Sequence, residues 1–250
     1  MENIQIKNIE GDLLYEHACK HNTIKLTLEK AVKEGANLEG ANLEGANLKK
    51  ANLWGANLKR ANLKNADLNR ASLDWADLRS AILEGAAFGR VKLRDANLEG
   101  VNLEGVNFRQ AKLKDANLEG ANLMGANLKE ANLEKANLER AYLTGANLEW
   151  VNLKRANLKR ANLEVANLEW ANLEGANLEW AVLEGANLKS VALGRANLIK
   201  ANLIEVDLKN ADLGGVDFTH ANTLRATGLP TGLSKQEKNN GKHSDKKHRR

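Results

Sequence analysis

The sequence predicts an all-β solenoid, a chain that turns once in every five residues and stacks on itself. Three observations predict it. A five-residue unit runs from Ala36 to His220, 37 times over, without a slip of register. Two positions of the unit are apolar: the centre, i, is Leu 34 times and Phe at Phe88, Phe108 and Phe218, while i−2 is Ala 30 times and Val seven times. The other positions hold turn formers and charge: i−1 is Asn 24 times and Asp five times, and i+2 is Gly twelve times.

A period of five excludes the regular alternatives. On an α-helix five residues advance about 500°, so each Leu would land about 140° from the last. In a continuous strand an odd period places Ala36 and Leu38 on one side and Ala41 and Leu43 on the other, leaving both sides apolar. One turn per unit removes the conflict, because Ala and Leu then face inward every time. Ala fits a crowded inner corner, Leu fills the centre, and Asn, Asp and Gly suit turns through side-chain bonds or positive φ. The array has no Pro, which would remove a donor needed between coils. The inward series includes Leu38, Leu78, Leu123, Leu163 and Leu203 with the three Phe.

The repeated A-N-L-x-x, as in Ala36-Asn37-Leu38-Glu39-Gly40, resembles the pentapeptide-repeat family. The resemblance implies a right-handed quadrilateral β-helix with four units per coil. That gives about nine coils and, at about 4.8 Å each, a rod roughly 44 Å long. Ile82, Lys92, Lys112, Tyr142 and Val182 depart from Asn or Asp at i−1, an outward position.

An open solenoid needs its ends covered. Residues 1–35 do not repeat and read as an N-terminal cap: Ile4, Ile6 and Ile9 suggest a short strand, and Thr27 to Gly35 a short helix with Gly35 just past its end. The β-helix is expected over 36–222. The register breaks at Thr223, and 223–233 reads as a C-terminal cap or extension in which Leu224, Leu229 and Leu233 fold over the last coil. Residues 234–250 lack apolar side chains and read as a disordered basic tail.

The net charge of +5 is unevenly placed: the array holds 24 basic and 24 acidic residues, and the excess belongs to residues 221–250. Some family members imitate DNA and bind type II topoisomerases, and the resemblance raises that possibility; a neutral array disfavours it. Lys242, Lys246, Lys247, Arg249 and Arg250 suit weak, sequence-independent contact with nucleic acid. They suit equally a solubilising tail. With four units per coil, residues 20 apart share a face. One face gathers Glu44, Glu84, Glu104, Glu164, Glu184 and Glu205 against Lys64, beside a row of Gly. The next gathers Arg70, Arg90, Arg109 and Lys129, with Trp150 and Trp170 one coil apart. That pair is a possible protein-binding patch, since interface hot spots favour Trp and Arg; flat packing over the backbone is the plain alternative.

Catalytic constellations are absent. His17 and His21 lack the Glu of an H-E-x-x-H zinc site, and the Gly residues follow the structural period rather than a phosphate loop. The Glu99, Glu119 and Glu139 row is a weak cation signal that neighbouring bases can neutralise. Cys19, alone, excludes an internal disulfide. There is no signal-peptide pattern and no run of about 18 apolar residues, so a cytoplasmic location is expected. The sequence therefore points to a non-enzymatic interaction or spacer module with no metal or cofactor and with a protein partner. The resemblance adds that the chain is a monomer or a dimer through its C-terminal coils.

Overall fold

Each unit of the array has five amide hydrogens to satisfy, and the computed structural model, which describes residues 1–231, shows where each one goes. In the unit Ala121–Gly125, Ala121 N–H donates to Leu118 O across the turn (3.1 Å). Asn122 N–H donates to Val101 O in the preceding coil (3.0 Å), and Leu123 and Gly125 donate forward to Tyr142 O (2.7 Å) and Thr144 O (3.0 Å). The fifth donor, Met124 N–H, reaches no backbone acceptor and is taken by Asn122 Oδ1 at 3.1 Å. This is an Asx turn, repeated unit after unit. Parallel bridges join residues 20 apart, from Asn42↔Asn62 to Asp207↔Thr227, so four units make one coil.

The Asn side chains also stack. Asn137 Nδ2 donates to Asn117 Oδ1 (3.2 Å), while Asn137 Oδ1 accepts from Glu139 N–H (3.2 Å) and Asn157 Nδ2 (3.1 Å). At i+2 the backbone is left-handed in every unit from Gly40 to Arg225. A positive φ at the second central residue alone is the signature of a type II turn. Gly adopts it freely, but Trp150 (φ 59°) and the β-branched Val165 (φ 50°) sit there too. The stacking holds these residues in a conformation that L side chains disfavour.

The core is the double column of Leu and Ala. Leu38, Leu78, Leu123, Leu163, Leu203, Phe88 and Phe108 are fully buried. Phe218 is only half-buried, because it lies in the last full coil where little is stacked beyond it. The ladder loosens at the first coil, where Leu38 N–H lacks its bond to Asn57 O, and again inside the rod. Leu78 N–H reaches Asn97 O (2.8 Å) and Leu93 N–H reaches Lys112 O (2.7 Å), yet the equivalent bonds from Leu83 and Phe88 are missing. Phe88 and Phe108 stack there at 5.1 Å with their rings tilted by 45°. These rings are larger than Leu, and Val101 and Val106 are larger than Ala, so the coils part. Ala81 and Val106 reach 7% exposure, against 0% at Ala121 and Leu123.

The N-terminal segment is more than a helix. Strands β1 (Glu2–Lys7) and β2 (Leu13–Cys19) form an antiparallel hairpin before α1 (Ile24–Lys33). Ile9 lies outside the strand, and the helix starts at Ile24 because Thr23 caps it, Oγ1 accepting from Leu26 N–H. Gly35 (φ 72°) follows the C-cap Glu34. The segment closes the first coil's open edge: Lys7 O accepts from Asn42 N–H (2.7 Å), and Glu29 Oε1 accepts from Asn52 N–H (2.7 Å). Ile6, Leu28 and Ala31 join the core.

At the other end the winding does not break at Thr223. Thr223 takes the inward position, Ala226 N–H closes its turn, and Thr227 still bridges Asp207. Only the side chain changes, not the backbone path. Gly228 comes next at the centre, where a Cβ would lie 2.5 Å from Leu208 C. Leu224 does not fold over the coil; it is exposed on a side, while Leu229 packs against the core. Leu233 and the tail lie outside the described residues.

Leu123, with coils on both sides, gives a direct check of the inward assignment. Leu123→Ala should cost about 2–5 kcal/mol, and Leu123→Asp, which buries a carboxylate without a partner, should abolish the cooperative transition. Glu104→Lys, on an exposed site, should change stability by less than about 0.5 kcal/mol. Thermal melts by circular dichroism check all three; a Leu123→Asp protein melting with the parent would contradict the core.

Candidate functional site

With most backbone donors of the array consumed inside the stack, the flanks offer chiefly side chains. The site therefore has to be sought among outward positions i−1, i+1 and i+2, which the turn places in straight columns.

Much of the charge in these columns is paired along the rod. Lys129 Nζ meets Glu149 at 2.7 Å, Lys154 meets Glu174 at 2.8 Å and Lys159 meets Glu179 at 3.0 Å, each one coil apart. The Lys154 and Lys159 hydrogen bonds hold the carboxyls of Glu174 and Glu179 below the usual carboxylate range. The basic stripe is tied down in the same way. Arg90 Nε donates to Gln110 Oε1 (2.7 Å), Gln110 Nε2 donates to Glu130 Oε2 (2.5 Å), and Arg109 also reaches Glu130 (3.2 Å). The Gln110 hydrogen bond, followed by that of Arg109, lowers the Glu130 carboxyl. Arg109 and Lys129 are thus committed to acids of their own face, which leaves a weaker polyanion surface than the sequence suggests.

Trp150 and Trp170 do meet. Their rings stack at 5.1 Å and 5°, half exposed, and Trp150 Nε1 donates to Glu149 Oε1 (3.1 Å). Trp180 lies on another face beneath Lys200 Nζ, 4.5 Å from its ring. Trp54 walls a shallow open groove beside α1, with Glu29, Val32, Lys33 and Asn52.

Asp74 is the buried acid of the array, and its role is structural. Lys92 supplies no acceptor to its own turn, so Asp74 Oδ1, from the coil before, accepts from Arg94 N–H (2.8 Å). Its other oxygen pairs with the Arg94 guanidinium at 2.7 Å. Asp77 similarly binds Arg79, whose hydrogen bond depresses the Asp77 carboxyl. Among the described residues no resolved carboxyl shift is upward, as a general acid at neutral pH needs. Nor does any group of three or more His, Cys, Asp or Glu side chains converge on a metal position there. Glu119 of the acidic row is met by Asn137 Nδ2 (3.3 Å) and Arg140 (3.7 Å), and Glu139 by Asn157 Nδ2 (3.2 Å). His17 and Cys19 lie on β2, a strand, so His17 and His21 do not share a helix face.

The family model for pentapeptide repeats matches in eight copies between residues 34 and 222. The chain belongs to the pentapeptide-repeat family. Its coils of four pentapeptides are the family's quadrilateral β-helix. Among solved structures it is similar to HetL, a pentapeptide-repeat protein involved in heterocyst differentiation regulation from the cyanobacterium Nostoc sp. strain PCC 7120. The identity is 34% over 71% of this chain and 91% of HetL, with a TM-score of 0.48. It is also similar to QnrB1, a plasmid-mediated fluoroquinolone resistance protein (21% identity, 72% of this chain, 88% of that one, TM-score 0.33). A pentapeptide-repeat protein of the Arabidopsis thaliana thylakoid lumen matches at 29% identity over 42% of this chain and 66% of that one, TM-score 0.33. No curated protein matches the chain. No helix of the described residues is long and apolar enough to cross a membrane.

One surface feature escaped the sequence reading. Of the residues that replace Asn or Asp at i−1, the large apolar ones, Ile82, Tyr142 and Val182, fall in one column. Met124, Val165 and Ile204 flank them on the same face. Sorting the departures by their remainder over 20 would have shown it.

The Trp pair makes a prediction. Stacked indoles give an exciton couplet in far-ultraviolet circular dichroism. Replacing either Trp150 or Trp170 by Ala should abolish the couplet and cost about 0.5–1.5 kcal/mol beyond the lost contact area. An unchanged couplet in the Trp170→Ala protein would contradict the stack.

Proposed function

We propose that the protein is a non-enzymatic interaction scaffold of the cytoplasm, whose rigid flanks present side chains to a protein partner. The observation that carries this reading is the ladder between coils: coils bonded on both sides fix the outward columns in space. Rigid presentation lowers the entropy lost on association. The half-exposed Trp150–Trp170 stack is one such feature. Self-association through the C-terminal coils belongs to the same proposal, since Leu213, Val216 and Phe218 are only partly covered.

A second reading is polyanion association or the topoisomerase-binding, DNA-imitating branch of the family. It draws on Glu104 and Glu164, exposed acids without an ion pair among the described residues. The balanced array weighs against it. The tail lysines and arginines remain proposed contacts to nucleic acid, governed by counterion release and hence by salt.

Affinity capture from the host, with the full chain and with a chain ending at Leu233, separates the readings. A scaffold working through its flanks retains the same protein partner in both forms. Loss of the partner on truncation would contradict it, as would potent inhibition of DNA gyrase supercoiling or salt-resistant duplex binding by the shortened chain.

A further inference from the structure

Three i−1 positions on one face hold large apolar residues where the turn wants an acceptor. Ile82, Tyr142 and Val182 offer none, and among the described residues the amides of Glu84, Thr144 and Glu184 lack the Asx bond that Glu139 and Met124 have. The rod gains little burial in exchange: Ile82 is 45% and Tyr142 54% exposed, and Val182 is half-buried. On the other faces the replacements at i−1 are Ser72, Lys92 and Lys112, or the small Ala87 and Ala192. The substitutions that cost a bond and expose a large apolar side chain are therefore confined to one column.

The rest of the face fits that column. Gly85, Gly105, Gly125, Gly145 and Gly185 stand at its i+2 positions, so between Ile82 and Val182 the i+2 row carries one side chain, the apolar Val165. Met124 and Val165 widen the apolar strip. Glu104, Glu164 and Glu184 are exposed along it and have no ion pair among the described residues, whereas Glu84 is taken by Lys64 at 3.1 Å.

Resting on the interaction-scaffold reading, we propose that this face docks a basic amphipathic α-helix of a partner protein, its apolar stripe on Ile82, Tyr142 and Val182 and its Lys or Arg residues against the glutamates. An added strand finds no free ladder on a flank, because the backbone groups of the i−1 and i residues are already bonded within the rod. A helix needs only side chains. Its turns rise about 5.4 Å, close to the coil spacing of about 4.8 Å, so a helix parallel to the rod places one residue near each coil, apolar beside Ile82, Met124, Tyr142, Val165 and Val182 and polar beside Asn102 and Glu104. Ile82 and Val182 are five coils apart, about 24 Å, which corresponds to a helix of about 16 residues. The glycine row lets such a cylinder approach without clash. The acidic rim selects cationic flanks and repels an anionic lipid surface.

The test uses the full chain and an 18-residue Leu/Lys peptide with Leu at i, i+3 and i+4 spacing. A scrambled peptide of the same composition is the control. The peptide should turn helical on titration with the protein and saturate, and the scrambled one should bind at least tenfold more weakly. Ile82→Asn, Tyr142→Asn and Val182→Asn together should weaken binding at least tenfold while the protein melts no earlier than the parent, since three turn bonds are restored. That combination is one a merely structural role would not give. Equal binding by the triple variant, equal binding of the scrambled peptide, or no induced helix would each overturn the proposal. Clearly tighter binding by a chain ending at Leu233 would assign the face to the protein's own basic tail instead, and would overturn the external partner. Host capture keeps the two levels apart: a partner retained by the triple variant removes this face but leaves the scaffold, whereas no partner for the parent removes the scaffold itself.

Discussion

A chain that turns every five residues cannot satisfy its own amides with backbone alone. Of the five donors in a unit, one closes the turn and three reach neighbouring coils. The fifth, at i+1, depends on the side chain two residues earlier. The Asn column follows from that need, and so does the 20-residue register, since Asn side chains that accept locally still have an amide group to give to the next coil. The left-handed i+2 residues complete the same turn, with positive φ whether Gly or Val165 occupies the position. Where Asn is missing the structure either supplies another acceptor, as Asp74 does for Arg94, or leaves the amide without that bond.

Much of this was legible in the sequence because repetition amplifies weak signals. One Ala-Asn-Leu is uninformative; 37 in register assign inside and outside at every position. What failed was whatever occurs once. Ile4 and Ile6 mark β1, but β2 has no such signal, because its apolar residues do not alternate: Leu13 and Leu14 are adjacent. The start of α1 was placed late because Thr23, its N-cap, was not recognised. Thr223 was read as a break from its side chain, although the inter-coil bonds carry the winding through it. The opening at Phe88 and Phe108 needed ring volumes and contacts that a motif match treats as equivalent to Leu.

The flanks show the same division. The sequence places Trp150 and Trp170 side by side, because one period fixes both, but it does not show how Arg90, Arg109 and Lys129 are paired. Their commitment to Gln110, Glu130 and Glu149 depends on side-chain reach between coils. The apolar column of Ile82, Tyr142 and Val182 was present as three exceptions to a motif. It acquires meaning only when the cost of each exception, one lost turn bond, is set beside the absence of burial.

The account stands on the side-chain acceptor at i−1, and residue-resolved amide hydrogen exchange in the native protein tests it most directly. Glu134 and Glu139, whose amides are held by Asn132 and Asn137, should be strongly protected. Thr144 and Glu184, behind Tyr142 and Val182, should exchange much faster although they lie in the same stretch of well-formed coils, and Tyr142→Asn should slow Thr144 alone. Equal protection of all four amides would contradict the account, because the fifth donor would then be satisfied by something other than the side chain on which the rest of the structure is argued to depend.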